Sequence, residues 1–337
     1  EMICDRYYYS ILTPIEKAMY NKIYTAMQNH EPTVTIKDFD GMDVGRLMTA
    51  INFDNPHLFY VDFDYRFQSD AFDLTIILNY IYNKSDTAVL TEKVKKVCNK
   101  ILSKVTGRTE FAKELSLHDI LVRNVLYDDV AKKDILKFHA RSNTILGVLF
   151  CKKAVCEGIA KTFKFLLNAL NIKCVVVKGK AIDDLAGRVD SDMFHAWNIV
   201  KIDDMPYHVD LTWDINMSVG NIVCHGYFNL TDSEIGLDHV ADKSYPLCKA
   251  KDNDYFYKTG SVVANKKELR SIISDRIKKG ESVVEFKIAG GAIRKDVDML
   301  NIVKKCLESV VGDERNYSLY GIKPTIQGVC CFEWKLM

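Results

Sequence analysis

Along LTPIEKAMYNKIYTAM, Ile15, Met19, Ile23 and Met27 recur at a spacing of four, which puts their side chains on one face of a helix. Thr13 and Pro14 stand where an N-cap and a first-turn proline belong, so this helix is expected to run to about Asn29. The pattern then changes. A short strand at Thr33 to Ile36, a helix from Asp43, and the β-branched and aromatic runs HLFYVDF and DLTIILNYIY complete an α/β module of about 80 residues. The other end has the same order: a helix from Lys266 to Lys279, a strand in SVVEFKI, a helix from Asp296 to Val311, and strands in NYSLYGI and GVCCFEWKL. This α-β-α-β-β order is either a divergent repeat of the first module or a second, unrelated α/β piece.

Between the two ends, SDTAVLTEKVKKVCNKILSKV offers Ser85 and Asp86 as N-cap candidates and sets Leu90, Val94, Val97 and Ile101 along one helical face. A second helix follows in ELSLHDILVRNVLYD. The expected organisation is residues 1–84 as an N-terminal α/β module, 85–250 as a central core and 251–337 as a C-terminal α/β module.

Two stretches of the core bear reactive side chains. In KKAVCEGIAKTFKFLLNALNIKC, Ile159, Phe163, Leu166, Leu167 and Leu170 form an apolar stripe and Asn171 caps its end, so Cys156 begins a helix. Exposed N–H groups and the macrodipole at a helix start favour a thiolate. Lys152 and Lys153 add positive charge nearby, while Lys161 and Lys164 read as a solvated helix face. A lone cysteine is more often a packing residue, so this position gains meaning only from a partner.

FHAWNIVKI and YHVDLTW supply one, as two strands around the turn-rich Asp203 to Pro206. A two-residue loop at Asp203 and Asp204 sets Trp197 opposite Asp210 and His195 one diagonal step away on the same face. A slip of one residue would separate His195 from Asp210. Cysteine, histidine and aspartate so arranged suit thiol acyl transfer: the histidine takes the thiol proton, the aspartate orients the imidazole, and the thiolate attacks a carbonyl.

Composition narrows the alternatives. The 337 residues are 48% hydrophobic and 27% charged with a formal charge of +1, which suits a globular chain with a real core and no nucleic-acid partner. Runs such as LTIILNYIY are too short to span a bilayer. Ten cysteines are scattered without C-x-x-C pairs, so most are expected to be reduced and buried, with no metal site. Cys151 is read as packing, with a reversible disulfide to Cys156 as the alternative.

The ordered motifs V-C-E-G-I-A-K-x-F, H-A-W-N-I-V-K-I-D and Y-H-V-D-L-T-W-D resemble those of the bacterial transglutaminase-like superfamily, as do the flanking LHDILVRNVLYD and GYFNLTDSEIGLDH. The resemblance spans roughly residues 107 to 245. It implies an α+β, papain-like core with Cys156 as nucleophile, His195 as base and Asp210 as orienting acid. Trp197, Asn198 and Trp213 are implied as cleft or supporting residues. His118 is a supporting candidate for which a helix-face hydrogen bond is the simpler account; His208 shares a strand face with Asp210, but no motif assigns it a role and a structural hydrogen bond is the simpler account. Asp238 and His239 are read as bracing a loop, and the exposed aromatics Tyr7 to Tyr9 as module packing or a rim contact. Two departures are visible: Ile159 replaces the usual tyrosine, and Asp203-Asp204-Met205-Pro206 replaces the usual turn. The Cys156 amide is the first oxyanion donor; the position where papain-like enzymes place glutamine is Phe150, so the second is unassigned.

The implied activity is peptidase- or amidase-type hydrolysis through a thioester on a peptide or protein amide, without a cofactor or calcium. A cross-linking transglutaminase and a non-catalytic binding or scaffolding module are the alternatives. The resemblance points to an extracellular or cell-surface location with an export signal removed, the cytoplasm being the alternative. The residues leave the oligomeric state open.

Overall fold

The computed structural model describes residues 5–37, 39, 41, 43–70, 72–133, 139–182, 194–290, 297–312, 317–322 and 324–336. Asp296 and Asn316, where a helix and a strand are expected to begin, lie outside them, as does Cys4 of the ten cysteines. The fold is α+β, with an antiparallel sheet in the middle of the chain and smaller α/β parts before and after it in sequence. Contacts divide the chain into two compact units, residues 1–177 with 196–201 and residues 178–195 with 202–337. No described helix is long and apolar enough to cross a membrane.

In the first unit, Pro14–Asn29 is the expected helix, with Thr13 and Glu16 forming a reciprocal capping box. Strands Thr33–Ile36, Leu74–Tyr80 and Val61–Ser69 lie side by side in that order, antiparallel throughout. The helix Lys84–Leu102 starts earlier than the sequence suggests. Its N-cap is Asn83, whose side chain accepts the Asp86 amide, which leaves Ser85 and Asp86 inside the first turn. Tyr8 is not an exposed aromatic but is buried, its hydroxyl donating to Val176 O at 2.6 Å.

The helix Cys156–Ala169 forms the centre of this unit, and it is covered on more than the expected stripe. Lys161 and Lys164 are 5% and 1% exposed, so neither lies on a solvated face. Lys164 Nζ donates to Asp5 O and Cys174 O, both at 2.6 Å. Lys161 Nζ pairs with Glu157 and donates to Asn143 O at 3.1 Å, over the Phe53 and Phe63 rings. Both ammonium groups are buried because each finds acceptors there, the condition for taking a lysine out of water.

In the second unit, strands Val262–Val263, Val283–Ile288, Val329–Leu336 and Tyr317–Gly321 form a sheet in that order. Leaving aside the parallel edge strand Val262–Val263, its first, third and second strands in chain order lie as those of the N-terminal sheet do. Phe286, Val303, Leu307 and Phe332 fill the core between this sheet and the helices Lys266–Lys278 and Met299–Val311. Buried Lys287 donates to Glu234 and Asp254, each at 2.9 Å, and the Lys287 charge with hydrogen bonds from Lys287 and Thr231 holds the Glu234 carboxyl at about 2 in spite of burial.

Candidate active site

Cys156 belongs to the first unit, and local sequence explains its position. Gly147–Cys151 winds as one π-helical turn and ends at Lys152 in the left-handed region, φ 55°. Val155 is extended as the N-cap, and its amide donates to the Ser142 hydroxyl at 3.1 Å. The helix then starts at Cys156. A Cβ on Gly158 would stand 2.1 Å from Ser142 O, so glycine is needed where the first turn lies against backbone. Cys156 is half-buried and Cys151 exposed, and both are free thiols. The described cysteines otherwise sit in the interior, and burial raises the Cys98 and Cys330 thiols to about 12.

Asn198 and Trp197 also belong to the first unit. Asn198 Nδ2 faces Ala160 O, Cys174 Sγ and Val175 O at 3.1–3.3 Å, which ties its strand to the cysteine-bearing helix. Trp197 is 1% exposed, a core side chain and not an open cleft wall. His118 is buried in the helix Glu110–Asn124 with Nδ1 3.0 Å from Asp119 Oδ1.

The second unit brings together His195 and Asp210. Asp203 and Asp204 have φ of 49° and 66°, the paired left-handed geometry of a two-residue hairpin turn between Phe194–Ile202 and Met205–Val209. Pro206 is therefore in the strand and not in the turn. The expected strand YHVDLTW ends at Val209, because Asp210 N-caps a helix, Leu211–Met217, and its Oδ1 accepts the Trp213 amide at 3.1 Å. His195 Nε2 lies 2.5 Å from Asp210 Oδ2. Histidine and aspartate are 8% and 0% exposed.

A second histidine shares that oxygen. His239 Nε2 is 2.9 Å from Asp210 Oδ2, and its Nδ1 is 2.5 Å from Asp238 Oδ1. Asp238 Oδ2 accepts from the Tyr227 hydroxyl at 2.6 Å and from Gln327 Nε2 at 3.2 Å. Backbone pairing of His239 with Ala181 and a bond from Ile182 N to Asp238 O fix this dipeptide at a strand start. Asp238 and His239 thus do more than brace a loop. Their sequence signal was the D-H that ends GYFNLTDSEIGLDH, a run that also holds Tyr227; Gln327 had none.

Trp213 stands beside both imidazoles, its ring centroid 6.5 Å from His195 and 4.9 Å from His239. Burial alone would raise the Asp210 carboxyl; the His195 charge and the bonds from both histidines prevail and hold it far below the usual carboxylate range. Burial works against a charged His239, yet Asp210 and Asp238 raise it above an ordinary histidine. His208 is drawn elsewhere, with Nε2 3.0 Å from Asp232 Oδ1. Burial lowers its pKa in spite of that partner.

The donor atoms of His195, Asp210 and His239 converge closely enough to be considered for a metal. Two nitrogen or oxygen ligands on one tetrahedral zinc stand roughly 3.3 Å apart, from bond lengths near 2.0–2.1 Å. Contacts of 2.5 and 2.9 Å are those of shared protons. Cys331 Sγ lies 4.0 Å from Cys224 Sγ and 3.4 Å from Glu285 Oε1, a buried set of three donors, one short of the four of a structural zinc site.

A family model described as the transglutaminase-like superfamily matches residues 95–211, a segment that holds Cys156, His195 and Asp210 and stops short of His239. The likeness to that superfamily thus covers about a third of the chain. No curated protein matches the chain. Among solved structures, a TGase is 14% identical over 56% of this chain and 53% of its own, with a TM-score of 0.31. A protein described as a candidate cysteine protease from Cytophaga hutchinsonii is 15% identical over 44% and 61%, TM-score 0.27. A candidate protease from Parabacteroides distasonis ATCC 8503 is 10% identical over 82% and 62%, TM-score 0.29. This chain therefore spans less than two thirds of each of those chains.

Proposed function

We propose that the chain is a thiol-dependent enzyme acting on a peptide or protein amide. Cys156 attacks the amide carbonyl, His195 takes the thiol proton and passes it to the leaving amine, and Asp210 holds the imidazole and balances its charge. A thioester forms as the C–N bond breaks, and water releases the acid. With Nε2 committed to Asp210, proton exchange falls to Nδ1 of His195. No cofactor enters this chemistry.

The buried His195–Asp210 hydrogen bond carries the reading. A histidine with an anion fixed on one ring nitrogen is a stronger base at the other, and keeping a carboxylate in the interior for packing alone is costly. The half-exposed thiol at a helix start and the superfamily match on the same segment support it. Hydrolysis is favoured over amine transfer because water is always present, whereas cross-linking needs a site that keeps water out.

Iodoacetamide labelling with peptide mapping tests the reading. Cys156 is expected to alkylate selectively near neutral pH, and His195→Ala to abolish the selectivity. Equal labelling of Cys151 and Cys156 that ignores His195 would refute it. A glutamine-peptide library with and without a primary amine then separates the two outcomes: deamidation or cleavage marks hydrolysis, and mass gain from the amine marks transfer.

A further inference from the structure

The geometry points to His239 as a positioning residue: an imidazolium wedged between two carboxylates, which fixes Asp210 and sets the pH range in which His195 accepts a proton. The effect on His195 catalysis rests on the function proposed above; the charge state of His239 does not.

The donors that meet each carboxylate decide the charge of the ring between them. Asp238 meets His239 Nδ1, the Tyr227 hydroxyl and the Gln327 amide, and an ionised carboxylate is the form that accepts from all three. Asp210 meets the Trp213 amide on Oδ1 and two imidazole nitrogens on Oδ2. With a carboxylate at each end of the His239 ring, both nitrogens must donate, and a histidine that donates twice is a cation.

That cation sits close to the proposed base, the His195 and His239 rings being 5.4 Å apart. The groups facing His239 are Asp210, Asp238, His195 and Tyr227, with His208 near enough to feel its charge. Without His239, Asp210 and Asp238 would place two uncompensated negative charges near His195 and make its imidazolium harder to deprotonate. With it, one is cancelled. His239 thereby fixes the carboxylate for orientation while limiting how far that carboxylate raises the His195 pKa.

The test reads histidine protonation directly, by NMR titration of ring resonances in the full chain carrying Cys156→Ala. His239 is expected to show imidazolium shifts, with both ring nitrogens protonated, from pH 5 to 8. In His239→Gln, which keeps a donor toward Asp210 but no charge, the His195 midpoint is expected to move up by about 1–2 pH units, as loss of one charge at this separation implies. Asp238→Asn serves as a second variant if that one unfolds, and should bring the His239 midpoint down into the titratable range.

A neutral His239 in the parent chain, an unmoved His195 midpoint in His239→Gln, or an unmoved His239 midpoint in Asp238→Asn would overturn the inference. Its failure is separable from that of the enzyme reading. Selective, His195-dependent alkylation of Cys156 with unmoved midpoints sinks only the role of His239. Moved midpoints without selective alkylation leave the charge relation standing and sink the thiol chemistry.

Discussion

Asp210 joins His195 and Trp213 through opposite oxygens of one carboxylate: Oδ2 faces His195 Nε2 at 2.5 Å and Oδ1 accepts the Trp213 amide at 3.1 Å. The residue that orients the imidazole is therefore also the N-cap of the helix Leu211–Met217. Cap and orienting acid share one rigid group, so the carboxylate has little freedom to turn away from the histidine.

Substitution can separate these duties. Asparagine still caps a helix but carries no charge, whereas alanine does neither. Asp210→Asn is expected to lower amide turnover by about 10²–10⁴-fold, the span of a positioned acid–base group. Asp210→Ala should lose a similar amount of turnover and also be less stable than Asp210→Asn in urea unfolding, by about 1 kcal/mol for the missing cap. Equal stability of the two variants would refute the capping role.

Gly158 fixes the start of the helix that bears Cys156. Because a Cβ there would come within 2.1 Å of the Ser142 carbonyl oxygen, Gly158→Ala must push the first helical turn off its backbone support. We expect a loss of about 1–3 kcal/mol, the usual range for overpacking, read by thermal unfolding. The helix start should also fray, and loss of protection at the Ile159 and Ala160 amides in hydrogen exchange would show it. Unchanged stability would mean that the glycine serves no close approach.

Much of this was legible in the sequence, because periodicity and caps are local. The helix at Pro14 and both α-β-α-β-β orders follow from apolar spacing and turn residues alone, whereas the helix read in ELSLHDILVRNVLYD starts four residues earlier, at Glu110, and ends at Asn124. The meeting of His195 and Asp210 depended on a turn written Asp-Asp, whose left-handed pair no propensity favours. Three features were hidden. Lys164 looked solvated because its acceptors, Asp5 O and Cys174 O, are backbone carbonyls that no side-chain pattern reports. Leu211–Met217 looked like strand because the alternating YHVDLTW conceals a cap at its centre. His239 lies 29 positions beyond Asp210, and only the fold brings them into contact.

The Asp203-Asp204 turn is strained by its own residues. Aspartate in the left-handed region costs about 1 kcal/mol or more against glycine, so Asp204→Gly should raise the unfolding free energy by roughly that amount. The neighbouring Asp203 carboxylate accepts from Asn253 Nδ2 at 3.4 Å. The substitution leaves the hairpin register unchanged, so the His195 ring resonances should not move. Destabilisation by Asp204→Gly would contradict the turn.

Asp54 is a fully buried carboxylate that accepts the Tyr8 and Tyr9 amides at 3.0 and 2.8 Å. Burial raises its pKa more than Lys164 and those amides lower it, and it is pushed up to about 6. A folded-state value above the unfolded one means that the native protein holds the proton more tightly. Its stabilising contribution is thus full below about pH 4 and is lost as pH rises through about 6, a change of about 3 kcal/mol at most. Asp54→Asn removes this titration and leaves every other ionisable group in place. The unfolding free energy of the parent chain minus that of Asp54→Asn should therefore decline between pH 4 and 7, with the steepest change near 5. Urea titrations at four pH values measure it, and parallel curves would show that Asp54 is ionised with an ordinary pKa in the folded protein.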